Sequence, residues 1–407
     1  MEKTYRVTGA IATAKKLLAA LVFHLALIAA VSYSAERAPD PYEARVLAVM
    51  SAIQSTDLER ARELSAAFIH DYPTSRIGAV LLGDAYTGSS SPLAEVAARF
   101  NAENSEQIQD FRQELVTRAR AVEIMPKAGQ TPAAIVDMGD ASYVMLGDME
   151  NSRLYVYQNV GGTPELVAHY YMAIGSSGAG KQVEGDLRTP IGVYQITHFI
   201  ADKELPDLYG SGAFPVDYPN VFDKGLKRTG YGIWLHGTPS DRYSRVPYAS
   251  EGCFVVSNRD FEDIAQYIEP DAHTPVVLSD HVEWVSRPDL TASKDSFMEA
   301  LKAWELAWES LNVERYAQQY NANKFKFSST AFSQWIAGRG RVMRSAEFIR
   351  LDVSVKGLYA YPGEEDTMLV VFEQVFESDT YQDVSQKQMY WQRDTTGQWR
   401  VIYEGDV

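Results

Sequence analysis

The sequence predicts an α+β protein in three parts: a helical N-terminal scaffold, a mainly β middle and a C-terminal α+β cone. Three observations carry this reading. Apolar residues recur at helical spacing from Asp40 to about Lys127, short β-branched runs punctuated by Gly, Asp and Asn fill 131–285, and one amphipathic helix followed by long alternating strands occupies 290–407. A chain of 407 residues with 46% apolar and 12% aromatic content is long enough for about three domains with cores of their own. Its formal net charge of −16 argues against nucleic acid or an anionic membrane surface as the main partner and reads as a soluble surface.

Residues 1–35 have the pattern of a targeting segment. Lys3, Arg6, Lys15 and Lys16 give a basic start, Leu17 to Val31 is apolar, and Ser32-Tyr33-Ser34-Ala35 offers small residues for cleavage. Export is expected, and the segment fits both a cleaved signal and a single N-terminal anchor, which would be the chain's one route to a membrane. An exported chain with one cysteine has no disulfide framework, so its thiol needs another explanation.

The helical part, 36–130, shows Val46, Val49, Met50 and Ile53 on one face, and Leu58 to Ile69 repeats the habit. Asp71-Tyr72-Pro73 ends that helix and Ser75 caps the next, which runs through Gly83-Asp84-Ala85-Tyr86. The pair resembles a single tetratricopeptide-type unit. One unit is too little for a solenoid, so a scaffold packed on the middle domain is expected.

In the middle domain, Ala134–Val136, Tyr143–Leu146, Arg153–Val160 and Leu166–Ile174 read as an all-β meander. Gly175-Ser176-Ser177-Gly178-Ala179-Gly180-Lys181 looks like a phosphate loop but has neither the spacing nor a following helix, so it reads as a flexible loop bordering a cleft. His169 and His198 read as satisfied structural histidines, and no spacing suggests a metal or cofactor. The aromatics of 198–230 (Tyr209, Phe214, Tyr218, Phe222) read equally as packing or as a cleft wall. Phe261–Tyr267 is expected to be helical, Pro275–Leu278 to be the last strand, and Pro288 to mark a linker.

The chemistry concentrates in Tyr231–Asn258. An apolar run Tyr231-Gly232-Ile233-Trp234-Leu235 delivers His236-Gly237, and after a polar loop the turn Ser250-Glu251-Gly252-Cys253 leads into Phe254-Val255-Val256. Two strands would present His236 and Cys253 at a common edge. A thiol is only slightly ionised at neutral pH and needs a base or a cation beside it, which an imidazole supplies. Gly252 allows a tight turn, so that the N–H groups of Gly252 and Cys253 form an oxyanion hole. Taken alone, the pair fits equally a small buried thiol with no chemistry.

His236-Gly237, the Ser250-to-Cys253 turn and a second block, Gly185-Asp186-Leu187-Arg188-Thr189-Pro190-Ile191-Gly192-Val193-Tyr194, together resemble the signature of the L,D-transpeptidase catalytic domain of bacterial cell-wall enzymes. The resemblance implies a mainly β domain at 131–285 with Cys253 as nucleophile, His236 as base and the Gly237 carbonyl orienting that base. Around them Ser250, Trp234, Arg188, Tyr209 and Glu251 are expected to contact substrate. The implied partners are peptidoglycan stem peptides, with water, a second stem or a protein amine as acceptor, in the periplasm. Two departures stand out: Glu251 replaces the family's usual histidine, and Val255 its usual arginine. They fit the branch that acts as L,D-carboxypeptidases, and hydrolysis is the favoured reading over cross-linking. A non-catalytic wall-binding protein is the competing class, against which the intact Cys253 and His236 argue.

In the last part, Phe297–Leu311 is an amphipathic helix with Trp304 and Trp308 four residues apart, followed by Val313–Tyr320 and by strands such as Met368–Phe376 and Gln388–Trp391. The order resembles the nuclear-transport-factor-like cone. The two tryptophans read as core, the cone as a separate unit and its pocket as a place for a peptide or glycan.

Overall fold

The computed structural model describes residues 41–87, 102–269, 274–325 and 331–407. The targeting segment read at 1–35 lies outside the described residues. Among the described residues no helix is long and apolar enough to cross a membrane.

The helical layer consists of Pro41–Gln54, Leu58–Asp71, Arg76–Thr87 and the long helix Ala102–Ile124. Asp57 caps the second helix by accepting from the Arg60 N–H, and Tyr72 stands at its C-terminal end. Val46, Val49, Phe68, Ile77, Leu81 and Leu115 form its core, against which Tyr243 of the middle domain packs.

The middle domain is a stack of two sheets. In one, Thr163–Tyr171, Arg153–Val160, Tyr143–Asp148, Pro275–Ser279 and Gly192–Gln195 lie side by side in that order. Pro275–Ser279 runs parallel to Tyr143–Asp148, so the chain returns to the centre of the sheet only after building the second one. That second sheet has the order Phe254–Val255, Trp234–His236, Gly212–Pro215, Ile200–Ala201. Met145, Leu154, Val156, Val276 and Leu278 from the first sheet meet Phe214, Leu235, Phe254 and Phe261 of the second layer.

Strand alternation puts the neighbours of those residues on the opposite face. Val144, Leu146, Tyr155, Tyr157 and Val277 are also buried, and they share a core with Tyr359, Leu369, Tyr390 and Ile402 of the C-terminal sheet. The expectation of a separate C-terminal unit is thus corrected. Ala134–Val136, read as a strand of the middle-domain meander, falls on the strand Ile135–Asp137, which in fact pairs with Ile349–Ala360 at the edge of the C-terminal sheet. Pro288 marks no linker either: it sits in the first turn of the helix Arg287–Glu309, capped by Ser286, where a missing N–H costs nothing.

The C-terminal sheet, completed by Thr367–Ser378, Gln382–Arg393 and Trp399–Asp406, is bent by register shifts near Gly357 and Trp391. Its concave face is filled by the helices Arg287–Glu309, Val313–Ala317 and Phe332–Ser345. Trp304 and Trp308 are core as expected, and Trp304 Nε1 donates to Tyr320 Oη at 2.8 Å.

The helical layer is joined to the middle domain by buried charge. Arg153, fully buried on its strand, donates to both carboxylate oxygens of Glu43 at 3.1 and 2.9 Å, and Arg118 reaches the same carboxylate at 3.0 Å. The Arg118 guanidinium lies over the rings of Tyr42 and Tyr171, 4.9 and 3.8 Å from their centroids. Burial would raise the Glu43 pKa, but Arg153 and Arg118 outweigh it and hold the carboxyl down to about 2. Removing one partner of a buried pair strands the other, so Glu43→Gln is expected to lower unfolding stability by about 3 kcal/mol in urea at neutral pH. Because the folded pKa is depressed, this contribution is present above the unfolded value of 4.5 and fades as pH falls toward about 2, so the gap between wild type and variant should narrow over that window.

Candidate active site

Trp234–His236 and Phe254–Val255 are parallel neighbours, with Leu235 opposite Phe254 and His236 opposite Val255. Leu235 and Phe254 point into the core between the sheets. Alternation then turns Trp234, His236 and Cys253 to the other face, so the two candidate catalytic side chains are diagonal neighbours on one surface.

His236 is buried, with Nδ1 2.7 Å from the Gly237 carbonyl oxygen. A carbonyl can only accept, so Nδ1 carries the hydrogen and Nε2 keeps its lone pair. Burial, with the Arg245 charge adding to it and the Gly237 carbonyl opposing, lowers the imidazole pKa to about 4. At neutral pH the ring is therefore a neutral acceptor.

Cys253 is half-buried and its Sγ donates to the Gly232 carbonyl at 3.3 Å. Burial raises the thiol pKa to about 11, with a backbone hydrogen bond from Trp234 and the charges of Arg245 and Lys181 pulling down and Glu251 pushing up. The resting pair is a protonated thiol beside a neutral imidazole, and the thiol must turn from Gly232 to reach the base.

The cysteine turn is wired differently from the sequence expectation. The Gly252 N–H donates to Ser250 Oγ at 3.1 Å, and Ser250 Oγ donates to the Cys253 carbonyl at 2.5 Å. The Gly252 N–H is thus committed within the turn rather than offered to an oxyanion, and buried Ser250 is a brace of that turn rather than a substrate contact. Gly252 has φ of +130°, and a Cβ there would lie 2.8 Å from the Arg188 carbonyl oxygen, so the close approach requires glycine. The Arg188 side chain is exposed and donates to the Ala179 carbonyl at 2.8 Å.

Tyr209 forms a wall: its ring centroid is 5.0 Å from those of both Trp234 and His236. Phe214, Tyr218 and Phe222, also considered as a cleft wall, are core residues. Glu251 is exposed beside the thiol. The Gly175–Lys181 loop is tied down rather than free, with Gly180 N–H on Thr189 O at 2.8 Å and buried Lys181 paired to Asp186 at 2.8 Å. His198 is exposed and bonded to Thr197, whereas half-buried His169 has an unpartnered Nδ1, so the reading of both as satisfied structural histidines is corrected.

Three residues were missed by the sequence reading. Thr189 Oγ1 accepts from the Gly175 N–H and donates to the Gly252 carbonyl, both at 2.9 Å. Asn258 bonds both backbone groups of Thr238, at 2.9 and 2.8 Å, and accepts from the Ser211 N–H at 3.1 Å, which requires Gly237 to lack a Cβ. Arg245, in the polar loop, donates to the carbonyls of Ala249 and Leu208 at 3.3 and 3.2 Å. A hydroxyl in the second block and an Asx residue ending the first were the available signals; Arg245 had none.

Residues 142–278 match the family model of the L,D-transpeptidase catalytic domain, and residues 296–405 that of the Cds6 C-terminal NTF2-like domain. The middle of the chain is therefore a catalytic domain of the L,D-transpeptidase type, followed by an NTF2-like domain. Among solved structures, Bd1075 of Bdellovibrio bacteriovorus is similar at 28% identity and a TM-score of 0.60, over 68% of this chain and 98% of that one. The helical cell shape determining protein Pgp2 of Campylobacter jejuni is similar at 25% identity and a TM-score of 0.57, over 67% and 95% respectively. A search of curated protein sequences finds no match.

With the thiol held near about 11, alkylation of Cys253 by iodoacetamide should keep accelerating well above neutral pH. At neutral pH, His236→Ala should slow it by roughly tenfold or more, since the proton loses its acceptor. Equal rates in the two proteins would assign the activation of the thiol to another group.

Proposed function

We propose that this protein is an exported peptidoglycan-modifying thiol acyltransferase that opens the diaminopimelate to D-alanine bond of tetrapeptide stems and passes the acyl group to water. The observation that carries the reading is that His236 ends one strand and Cys253 immediately precedes its parallel neighbour, with Nδ1 fixed on Gly237 O at 2.7 Å so that Nε2 is the basic atom. The match of 142–278 to the L,D-transpeptidase catalytic domain supports the substrate class. The basic and apolar pattern of residues 1–35 supports work outside the cytoplasm.

Nε2 takes the thiol proton as Sγ attacks the diaminopimelyl carbonyl carbon. The Cys253 N–H is the donor left to receive the oxyanion once Gly252 is committed to Ser250. The C–N bond breaks, the imidazolium returns its proton to the departing D-alanine amine, and a thioester remains. Water then attacks with His236 again as base, releasing a tripeptide and the free thiol. Tyr209 and Trp234 supply the apolar wall, and Glu251 is the exposed carboxylate next to the thioester.

Hydrolysis is favoured over transfer to an amine because the position two residues after the nucleophile carries no cation. Val255 is buried there, exchanging backbone hydrogen bonds of 2.8 Å with Ala173.

Cys253→Ala should keep the wild-type melting temperature, since only one half-buried sulfur is lost, yet release no D-alanine from disaccharide tetrapeptide. Mass spectrometry of the wild-type products should give tripeptide alone, with and without an added acceptor stem. Dimers joined between diaminopimelates would replace hydrolysis by cross-linking, and continued D-alanine release by the variant would falsify the thiol mechanism.

A further inference from the structure

The segment between His236 and Cys253 gets much of its anchorage from outside the middle domain. The ring of Tyr243 stacks on Tyr42 of the first helix, centroids 4.0 Å apart and planes 11° from parallel, and meets Tyr72 edge-on at 5.2 Å. Its N–H donates to the Thr74 carbonyl at 3.1 Å. Ser244 Oγ donates to Glu114 Oε1 of the long helix at 2.7 Å, and Glu114 is fixed in turn by Arg118 Nε at 3.0 Å. Arg76 pairs with Asp241 at 3.3 Å. Within the middle domain, Tyr171 Oη donates to the Arg245 carbonyl at 3.0 Å, and its ring carries the Arg118 guanidinium at 3.8 Å.

All these contacts converge on residues 241–245, and the side chain that leaves this clamp on the site side is Arg245. Its guanidinium spans the carbonyl of Leu208, beside the wall residue Tyr209, and that of Ala249, just before the cysteine turn, while its Nε is buried without a partner. We propose that the helical layer is part of the catalytic apparatus: by clamping 241–245 it holds the Arg245 guanidinium as the fixed positive neighbour of Cys253.

The charged and titratable groups acting on the thiol or ranged around it are few. Glu251 opposes the thiolate from the turn, Lys181 favours it from the end of the Gly175–Lys181 loop but is paired to Asp186, and Tyr209 and His236 are neutral near pH 7. Arg245 is the larger of the two favourable charge interactions on Cys253. The same charge disfavours imidazolium at His236, so one cation pushes both groups toward a thiolate beside a neutral base.

This inference rests on Cys253 being the nucleophile, and thiol reactivity tests it without any assumption about peptidoglycan. The pH profile of iodoacetamide alkylation is measured on the full chain, with a melting curve for each variant. Arg245→Gln should move the profile to higher pH, roughly three- to tenfold slower near pH 8 and equal to wild type once the thiol is fully ionised. Arg245→Lys should recover most of the loss. Tyr243→Ala and Glu114→Gln, which keep Arg245 but loosen its clamp, should shift the profile in the same direction by less, and should add nothing in the Arg245→Gln background. A wild-type profile in Arg245→Gln overturns the proposal, as does a Tyr243→Ala effect of equal size with and without Arg245. Should Arg245→Gln fail to fold, unshifted profiles in both Tyr243→Ala and Glu114→Gln overturn it.

Discussion

The structure depends on one sheet buried on both faces. Along Tyr143–Asp148, Arg153–Val160 and Pro275–Ser279, alternate residues serve two different cores, one shared with the layer that carries His236 and Cys253 and one shared with the C-terminal sheet. Side chains of period two cannot slip by one residue without exchanging the two cores, so register is fixed from both sides. The C-terminal domain is thereby bonded to the back of the platform on which the site is built, and Ile135–Asp137 completes its sheet edge. Two cores on one sheet make the domain pair a single mechanical body at the site's rear.

At the front, the chemistry follows from burial. Desolvation keeps both the thiol and the imidazole neutral, so the resting enzyme stores no thiolate that oxidants could reach. In the proposed mechanism ionisation is deferred until a substrate supplies a carbonyl to attack, when the proton would move to an Nε2 whose partner nitrogen is already fixed on the Gly237 carbonyl. On that proposal, a nucleophile left unionised at rest would need its cation at a set distance rather than merely nearby, because in a site of lowered dielectric the interaction depends on that distance.

Much of this was legible in the sequence. The lone cysteine, the histidine ending an apolar run and the glycine between Glu251 and Cys253 named the candidate site residues, and helical spacing named the first layer. What stayed hidden was tertiary. A strand buried on both faces reads as a plain apolar run, so nothing in Val144-Met145-Leu146 said which sheet lay on which side. Ile135–Asp137 is three residues long, too short to reveal its partner. A serine three residues before the cysteine looks like a substrate contact until its hydroxyl is seen spent on the turn. Arg245 sits in a stretch with no periodicity at all, and the helical layer that holds its neighbours Tyr243 and Ser244 is brought there by the fold alone.

The two sequence blocks are one physical unit, and Thr189, which meets Gly252 across 63 positions of sequence, shows why. Its hydroxyl has one hydrogen to give and a lone pair to accept with, and it uses both: it donates to the Gly252 carbonyl and accepts from the Gly175 N–H. Beside it the Arg188 carbonyl lies so near Gly252 that no Cβ fits, while Ser176 N–H holds the Ser250 carbonyl at 2.7 Å. The backbone before the proline is therefore a jig against which the cysteine turn is pressed, from Ser250 to Gly252. Pro190 keeps Thr189 out of helical conformation, which is the extended geometry the jig needs. The block thus shapes the site through the backbone of Arg188 and the hydroxyl of Thr189, while the exposed Arg188 side chain is held on the Ala179 carbonyl.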